Sequence, residues 1–175
     1  IYLASKSPRR KEILESLEVD YKVLNYLHDE SSPANSESAF EFIERNTKEK
    51  SLSAFAYLQE NEMQILPILT ADTLVSLDDR IFGKPDNKDH AISMLLELSG
   101  QYHSVISCVA IGVLDKTKSD TVNFNIDIVE TKVLFKTLTA YECKKYWETK
   151  EPIDKAGSYG IQGIGETFVE QIIGS

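Results

Sequence analysis

YHSVISCVAIGVLDKTKSDTVNFNIDIVETKVLF, residues 102–135, decides the fold. Two β-rich segments, Tyr102–Leu114 and Thr121–Phe135, are joined by the polar turn Asp115–Asp120. Strand-forming runs this close in sequence predict an antiparallel hairpin. Helical patterns flank it. Upstream, Ala91, Met94, Leu95 and Leu98 form an i, i+3, i+4, i+7 stripe that Ser99-Gly100 ends. Downstream, Thr139 and Glu142 have capping-box spacing and open a helix carrying Cys143, Tyr146 and Trp147. A glycine-rich loop and a last strand, Thr167–Ile173, follow. Toward the N-terminus, Tyr2–Ala4 reads as a buried strand end and Tyr21–Leu24 as a short strand. Between them lies a helix with Ile13, Leu14 and Leu17 on one side. A long helix is predicted over about 37–60. The apolar run Ile65–Leu69 leads into Thr70–Thr73, Leu74–Leu77 stays apolar, Asp78-Asp79 signals a turn, and Arg80–Phe82 returns as a strand. Strands and helices alternate first and hairpins come later, which predicts an α/β fold: a mixed, largely antiparallel twisted sheet flanked by helices.

With 175 residues and neither repeats nor a low-complexity linker, one domain is expected. A formal charge of −9 argues against a general nucleic-acid or membrane-surface binder, so an anionic ligand needs a local pocket of cations. Cys108 and Cys143 lie far apart without ligand spacing, which predicts buried thiols in a reducing compartment. His28, His90 and His103 are scattered and make no zinc motif. With neither an apolar run long enough to span a bilayer nor a secretory signal, a cytoplasmic protein is expected.

Residues 3–14, LASKSPRRKEIL, put two hydroxyls and two guanidinium groups at a strand-to-helix turn. Ser7 suits the N-cap and Pro8 the first helical position. Helix-start amides, dipole and Arg forks together favour an anion; a capped helix with solvated arginines is the plainer reading. Asp72 directly follows an apolar run, where an unpaired carboxylate is costly and where α/β sheets bind ligands, just beyond strand ends. Lys50 lies inside a helix beside Glu49, and Lys84 between Gly83 and Pro85; solvated lysines are the alternative for both. Asp29-Glu30 reads as metal ligands or as a solvated loop. Gly157–Gly165 matches neither a phosphate loop nor a dinucleotide fingerprint. Its glycines fit either a tight loop or close backbone approach to a flat ligand, with Gln162 offering an amide to a base edge.

Taken together, LASKSPRRKEIL, EKSLSAF, LTADTLV, GKP, LSGQYHSV and DKAGSYGIQGIG resemble, in order and spacing, the Maf family of nucleoside triphosphate pyrophosphatases. The resemblance runs from residue 2 to the C-terminus. Lys6 stands where a small residue is common. The family continues past the final strand with a Gly-Leu-Pro segment and a last helix, so residues 1–175 are expected to form a single Maf-like domain lacking a C-terminal tail.

The resemblance implies a hydrolase that converts a nucleoside triphosphate to the monophosphate and pyrophosphate with a divalent cation, Mg²⁺ or Mn²⁺. Ser5, Arg10, Lys50 and Lys84 would bind phosphate. Glu30 and Asp72 would hold the metal. Asp72 would also be the base for the water attacking the α-phosphorus, as base, ligand or both. Arg9, Thr73 and Gln162 match positions where branches of the family differ, and here they look like the branch acting on dTTP, UTP and modified pyrimidine nucleotides. Gln162 can donate and accept along a pyrimidine edge, with Tyr159 and Ile161 offering apolar surface. The alternatives are an inosine-type or 7-methyl-GTP pyrophosphatase, or a nucleotide-binding regulator of septum formation. No nucleic-acid or membrane partner is expected, and the resemblance leaves room for a homodimer.

Overall fold

The computed structural model describes residues 1–28, 31–78, 80–115, 117 and 121–174. By its internal contacts the chain divides into two compact units, Ile1–Asp72 with Cys108–Ile128, and Thr73–Ser107 with Val129–Ser175. The described residues form seven strands and four α-helices: β1 (Tyr2–Leu3), α1 (Pro8–Ser16), β2 (Lys22–Val23), α2 (Ala39–Glu60), β3 (Ile68–Leu77), β4 (Arg80–Phe82), α3 (Lys88–Leu98), β5 (Tyr102–Asp115), β6 (Thr121–Phe135), α4 (Ala140–Glu148) and β7 (Val169–Gly174). The sheet is mixed, largely antiparallel, with strand order β2-β1-β3-β5-β6-β7 and β4 paired to β3. The predicted fold class is the one observed.

In the first unit β1 lies between two parallel neighbours, Tyr2 pairing with both Lys22 and Ile68. Helix α2 starts in a full capping box, where Ser38 Oγ accepts from Glu41 N and the Glu41 carboxylate accepts from Ser38 N at 2.9 Å. Its inward stripe is apolar at both ends, Ala39, Phe42 and Ile43 at one and Ala54, Phe55 and Leu58 at the other. The middle of the stripe is polar, with Asn46, Thr47 and Ser51 all buried. Ala54, Phe55 and Leu58 pack with Tyr2, Ala4, Leu24 and Ile68 into this unit's core. Against β5 the helix comes so close that a Cβ at Gly112 would sit 2.6 Å from Ser51 Oγ and 3.0 Å from the Phe55 ring.

In the second unit β3 and β4 make a hairpin, Val75 opposite Phe82 and Leu77 opposite Arg80, turned at Asp78 in the left-handed region (φ 48°). The predicted α3 stripe is its buried set, Ala91, Met94, Leu95 and Leu98. Three of these join Val75, Phe82, Phe135, Tyr146, Tyr159 and Phe168 in the second core. The final strand starts two residues later than the sequence suggests, because Ile164–Phe168 closes as a 3-10 turn instead. Cys108 and Cys143 are buried and free. Among the described residues no helix is long and apolar enough to cross a membrane.

Candidate active site

Helix α1 begins as the sequence predicts, with Ser7 at the N-cap and Pro8 in the first turn, but the Ser7 side chain makes no capping bond. Ser5 takes over. Its Oγ accepts from the Ser7 backbone N–H at 3.2 Å and from Arg10 at 3.0 Å. With both acceptor sites engaged, what Ser5 can still offer is its hydroxyl proton. Arg10 is half-buried, and burial pulls its guanidinium below the usual value while the negative charge of Asp72 works in the opposite direction. Arg9 of the same turn is exposed.

Asp72 is not at a strand end, where the sequence reading puts it. It lies midway along β3, because Thr73 and the apolar Leu74 and Val75 carry the strand on through Leu77. The pleat turns Asp72 onto a face served by α2. Lys50 Nζ lies 2.9 Å from Asp72 Oδ2, with side-chain exposures of only 14% and 22%. Asn46, one helical turn before Lys50, donates its Nδ2 to the same oxygen. Tyr26 fastens the helix here by donating its hydroxyl to the Lys50 carbonyl at 2.7 Å. Sequence reasoning missed Asn46, although its i−4 spacing from Lys50 was a usable signal. Glu49 belongs elsewhere: it accepts from Arg45 at 3.0 Å and from Ser31, and with the 3.1 Å bond from Arg45 to the Ser32 carbonyl it fastens the 31–38 segment to α2.

Ser5, Arg10, Lys50 and Asp72 thus all lie in the first unit. Thr73, Lys84 and Gln162 lie in the second, each exposed. Thr73 Oγ1 is 3.2 Å from Ser107 Oγ. The loop bearing Lys84 is tied to the glycine-rich loop through the bond from Gly157 N to the Gly83 carbonyl, 3.1 Å. Gly157 has φ +64° and rests directly on Val75, where a Cβ would come within 3.0 Å. Of the two readings of this loop, the described contacts match the tight turn: Glu151 and Lys155 cover Gly160, and Glu151 covers Gly163. Glu151 anchors the turn, accepting from Ile164 N at 2.8 Å, Gly165 N at 3.2 Å and the Tyr146 hydroxyl at 2.7 Å. Burial works to raise the Glu151 carboxyl, but these bonds, together with the charge of Lys155, outweigh it and hold it below the ordinary range.

Tyr159 and Ile161 do not present apolar surface outward. Tyr159 is buried against Phe135 and lies 2.7 Å from His103 Nε2, and Ile161 packs on the same core. They turn inward because the chain beside them, at Gly157–Ser158, runs through left-handed backbone.

Among the described residues no three His, Cys, Asp or Glu side chains form a metal cluster. Asp72 supplies hard carboxylate oxygen. Ions of the Mg²⁺ type take one or two carboxylates and complete their shell with phosphate and water, so this donor fits such an ion. Asp29 and Glu30, the other candidate ligands, lie outside the described residues.

The profile of the family described as Maf-like protein matches residues 1–175. A dTTP/UTP pyrophosphatase of Aliivibrio fischeri (strain ATCC 700601 / ES114) is 40% identical over 175 residues, covering all of this chain and 87% of the relative. One from Escherichia coli (strain K12) is 39% identical over 176 residues, with coverage of 100% and 83%. Among solved structures, a nucleoside-triphosphatase / dITP/XTP pyrophosphatase from Mycobacterium abscessus aligns with TM-score 0.45 and 14% identity, covering 77% of this chain and 72% of that one.

Proposed function

The chain belongs to the Maf-like protein family, and from that premise we propose that it hydrolyses dTTP and UTP, with modified pyrimidine relatives, to the monophosphate and pyrophosphate. The names of relatives about 40% identical over the whole chain support the reaction and the substrates. The observation that carries the chemistry is the Lys50–Asp72 pair at 2.9 Å, steadied by Asn46 and set in the field of the Ser5-anchored Arg10.

Each group has a task that its chemistry suits. The Ser5 hydroxyl donates to a phosphate oxygen, and Arg10, Lys50 and Lys84 hold the triphosphate and neutralise charge developing on the pyrophosphate leaving group. Asp72 orients the water that attacks the α-phosphorus and takes its proton. Asp72 and Glu30 would hold a divalent cation, Mg²⁺ or Mn²⁺, through carboxylate oxygen, and the ion would supply Lewis acidity toward the phosphates. Arg9, Thr73 and Gln162 set the base preference, Gln162 by pairing donor and acceptor with a pyrimidine edge. The matched span, residues 1–175, acts as one functional domain, and the free buried cysteines support a cytoplasmic setting.

Pyrophosphate release from a panel of nucleoside triphosphates, with divalent cation and with excess chelator, tests all of this. dTTP and UTP should exceed ATP and GTP in kcat/KM by at least about tenfold, and chelator should abolish turnover. Orthophosphate with a diphosphate product would refute attack at the α-phosphorus. A purine as best substrate would refute the branch alone.

A further inference from the structure

We infer that Asn46 is a positioning residue for the reaction, holding the Asp72 carboxylate in one orientation; this rests on the assignment of Asp72 proposed above. Asn46 is only 3% exposed, on the inward stripe of α2. One end of its amide donates to Asp72 Oδ2. The other end, Oδ1, is buried and finds no hydrogen-bond partner among the described residues. The amide cannot be turned to relieve this. Turning it would set Oδ1 against a carboxylate oxygen, two acceptors face to face, and would leave the Nδ2 hydrogens without Asp72.

An unpaired buried carbonyl is destabilising, and such groups in native proteins call for an explanation. Packing is not one here. Asn46 follows Phe42 and Ile43 in the buried stripe and precedes Thr47 and Ser51, so a leucine here would extend the apolar end by one turn without leaving an orphaned oxygen. The fold therefore tolerates a cost at Asn46 that only its bond to Asp72 offsets. That bond has a geometric consequence. Asn46 and Lys50 engage the same oxygen of Asp72 from successive turns of one helix, which fixes the plane of the carboxylate. Without Asn46 the carboxylate loses one of the two α2 donors that orient it, and the attacking water loses its fixed acceptor.

The test compares Asn46→Leu and the near-isosteric Asn46→Asp in the full chain, measuring kcat, KM and melting temperature, alone and combined with Asp72→Asn. For Asn46→Leu, kcat should fall on the order of tenfold with KM within about twofold, while the melting temperature holds or rises. Asn46→Asp should lose at least as much kcat, because it replaces the donor by a like charge. In the Asp72→Asn background, Asn46→Leu should cost less than about twofold, since its target is already gone. Unchanged kcat in either folded variant, a loss confined to KM, or an undiminished loss in the Asp72→Asn background overturns the inference. Wild-type turnover by Asp72→Asn alone would instead overturn the assignment on which it rests.

Discussion

Two half-buried carboxylates, one in each unit, are held in opposite ways. Asp72 faces a cation and an amide borne on a neighbouring helix, with a second cation in its field. Glu151 accepts its hydrogen bonds from neutral donors, two backbone N–H groups and one phenol, and the charge of Lys155 also acts on it. The first arrangement concentrates charge that an incoming phosphate can share. The second satisfies a loop's backbone and leaves nothing over for chemistry. Burial alone therefore does not separate the carboxylate proposed to react from the structural one. The identity of its donors does.

The largest effect that could break this contrast is at Asp72. Asp72→Asn should keep the fold and lower turnover by about 10²-fold or more, measured as pyrophosphate release. Near-normal turnover would put Asp72 in the same class as Glu151. The second unit should answer to acid through a different group. Burial pushes the His103 imidazole down to about 4. Between about pH 6.5 and 4 the unfolded chain binds a proton that the folded chain does not, so this contribution is whole above about 6.5 and is lost as pH falls toward 4. It amounts to on the order of 3 kcal/mol, and His103→Gln should flatten that slope in denaturant titrations. Glu151, held below the ordinary carboxylate range, contributes stability that is whole above that range and is lost as pH falls through its lowered value. Glu151→Ala should cost about 2 kcal/mol of stability by orphaning two loop amides, with kcat on dTTP within about threefold. A collapse of kcat on Glu151→Ala would break the contrast from its other side. The smallest effect sharpens it: Gln162→Ala should reduce the preference for dTTP over ATP severalfold, by about 1 kcal/mol, and leave kcat on dTTP nearly intact.

Much of the architecture was legible because it rests on local patterns. The α3 stripe, the Thr139–Glu142 cap and the long β5 and β6 runs each carry their signal within a dozen residues. The site was legible by residue type more than by role. Ser5, Arg10, Lys50 and Asp72 stood out as candidates, yet Ser5 displacing Ser7 as the acceptor at the turn depends on where Arg10 points. Asp72 lying inside a strand depends on the pleat continuing through Thr73. Asn46 and Glu151 went unnoticed because a polar residue in a helix or a loop acquires meaning only from a partner distant in sequence, Asp72 in one case and the 164–165 amides in the other. Tyr159 was misjudged because its direction follows from left-handed backbone at Gly157 and Ser158.

Gly112 works as a depth stop. The seat of α2 on β5 is set where one strand residue has no side chain, with Ser51 and Phe55 resting in the space. A helix is stiff, so its height at Ser51 is also its height at Lys50 and Asn46. A methyl group at position 112 would act as a shim: Ser51 Oγ at 2.6 Å and the Phe55 ring at 3.0 Å would have to give way, on the helix that also carries Lys50 and Asn46. The seat of the helix bearing Lys50 is thus set in the sheet by an atom that is absent.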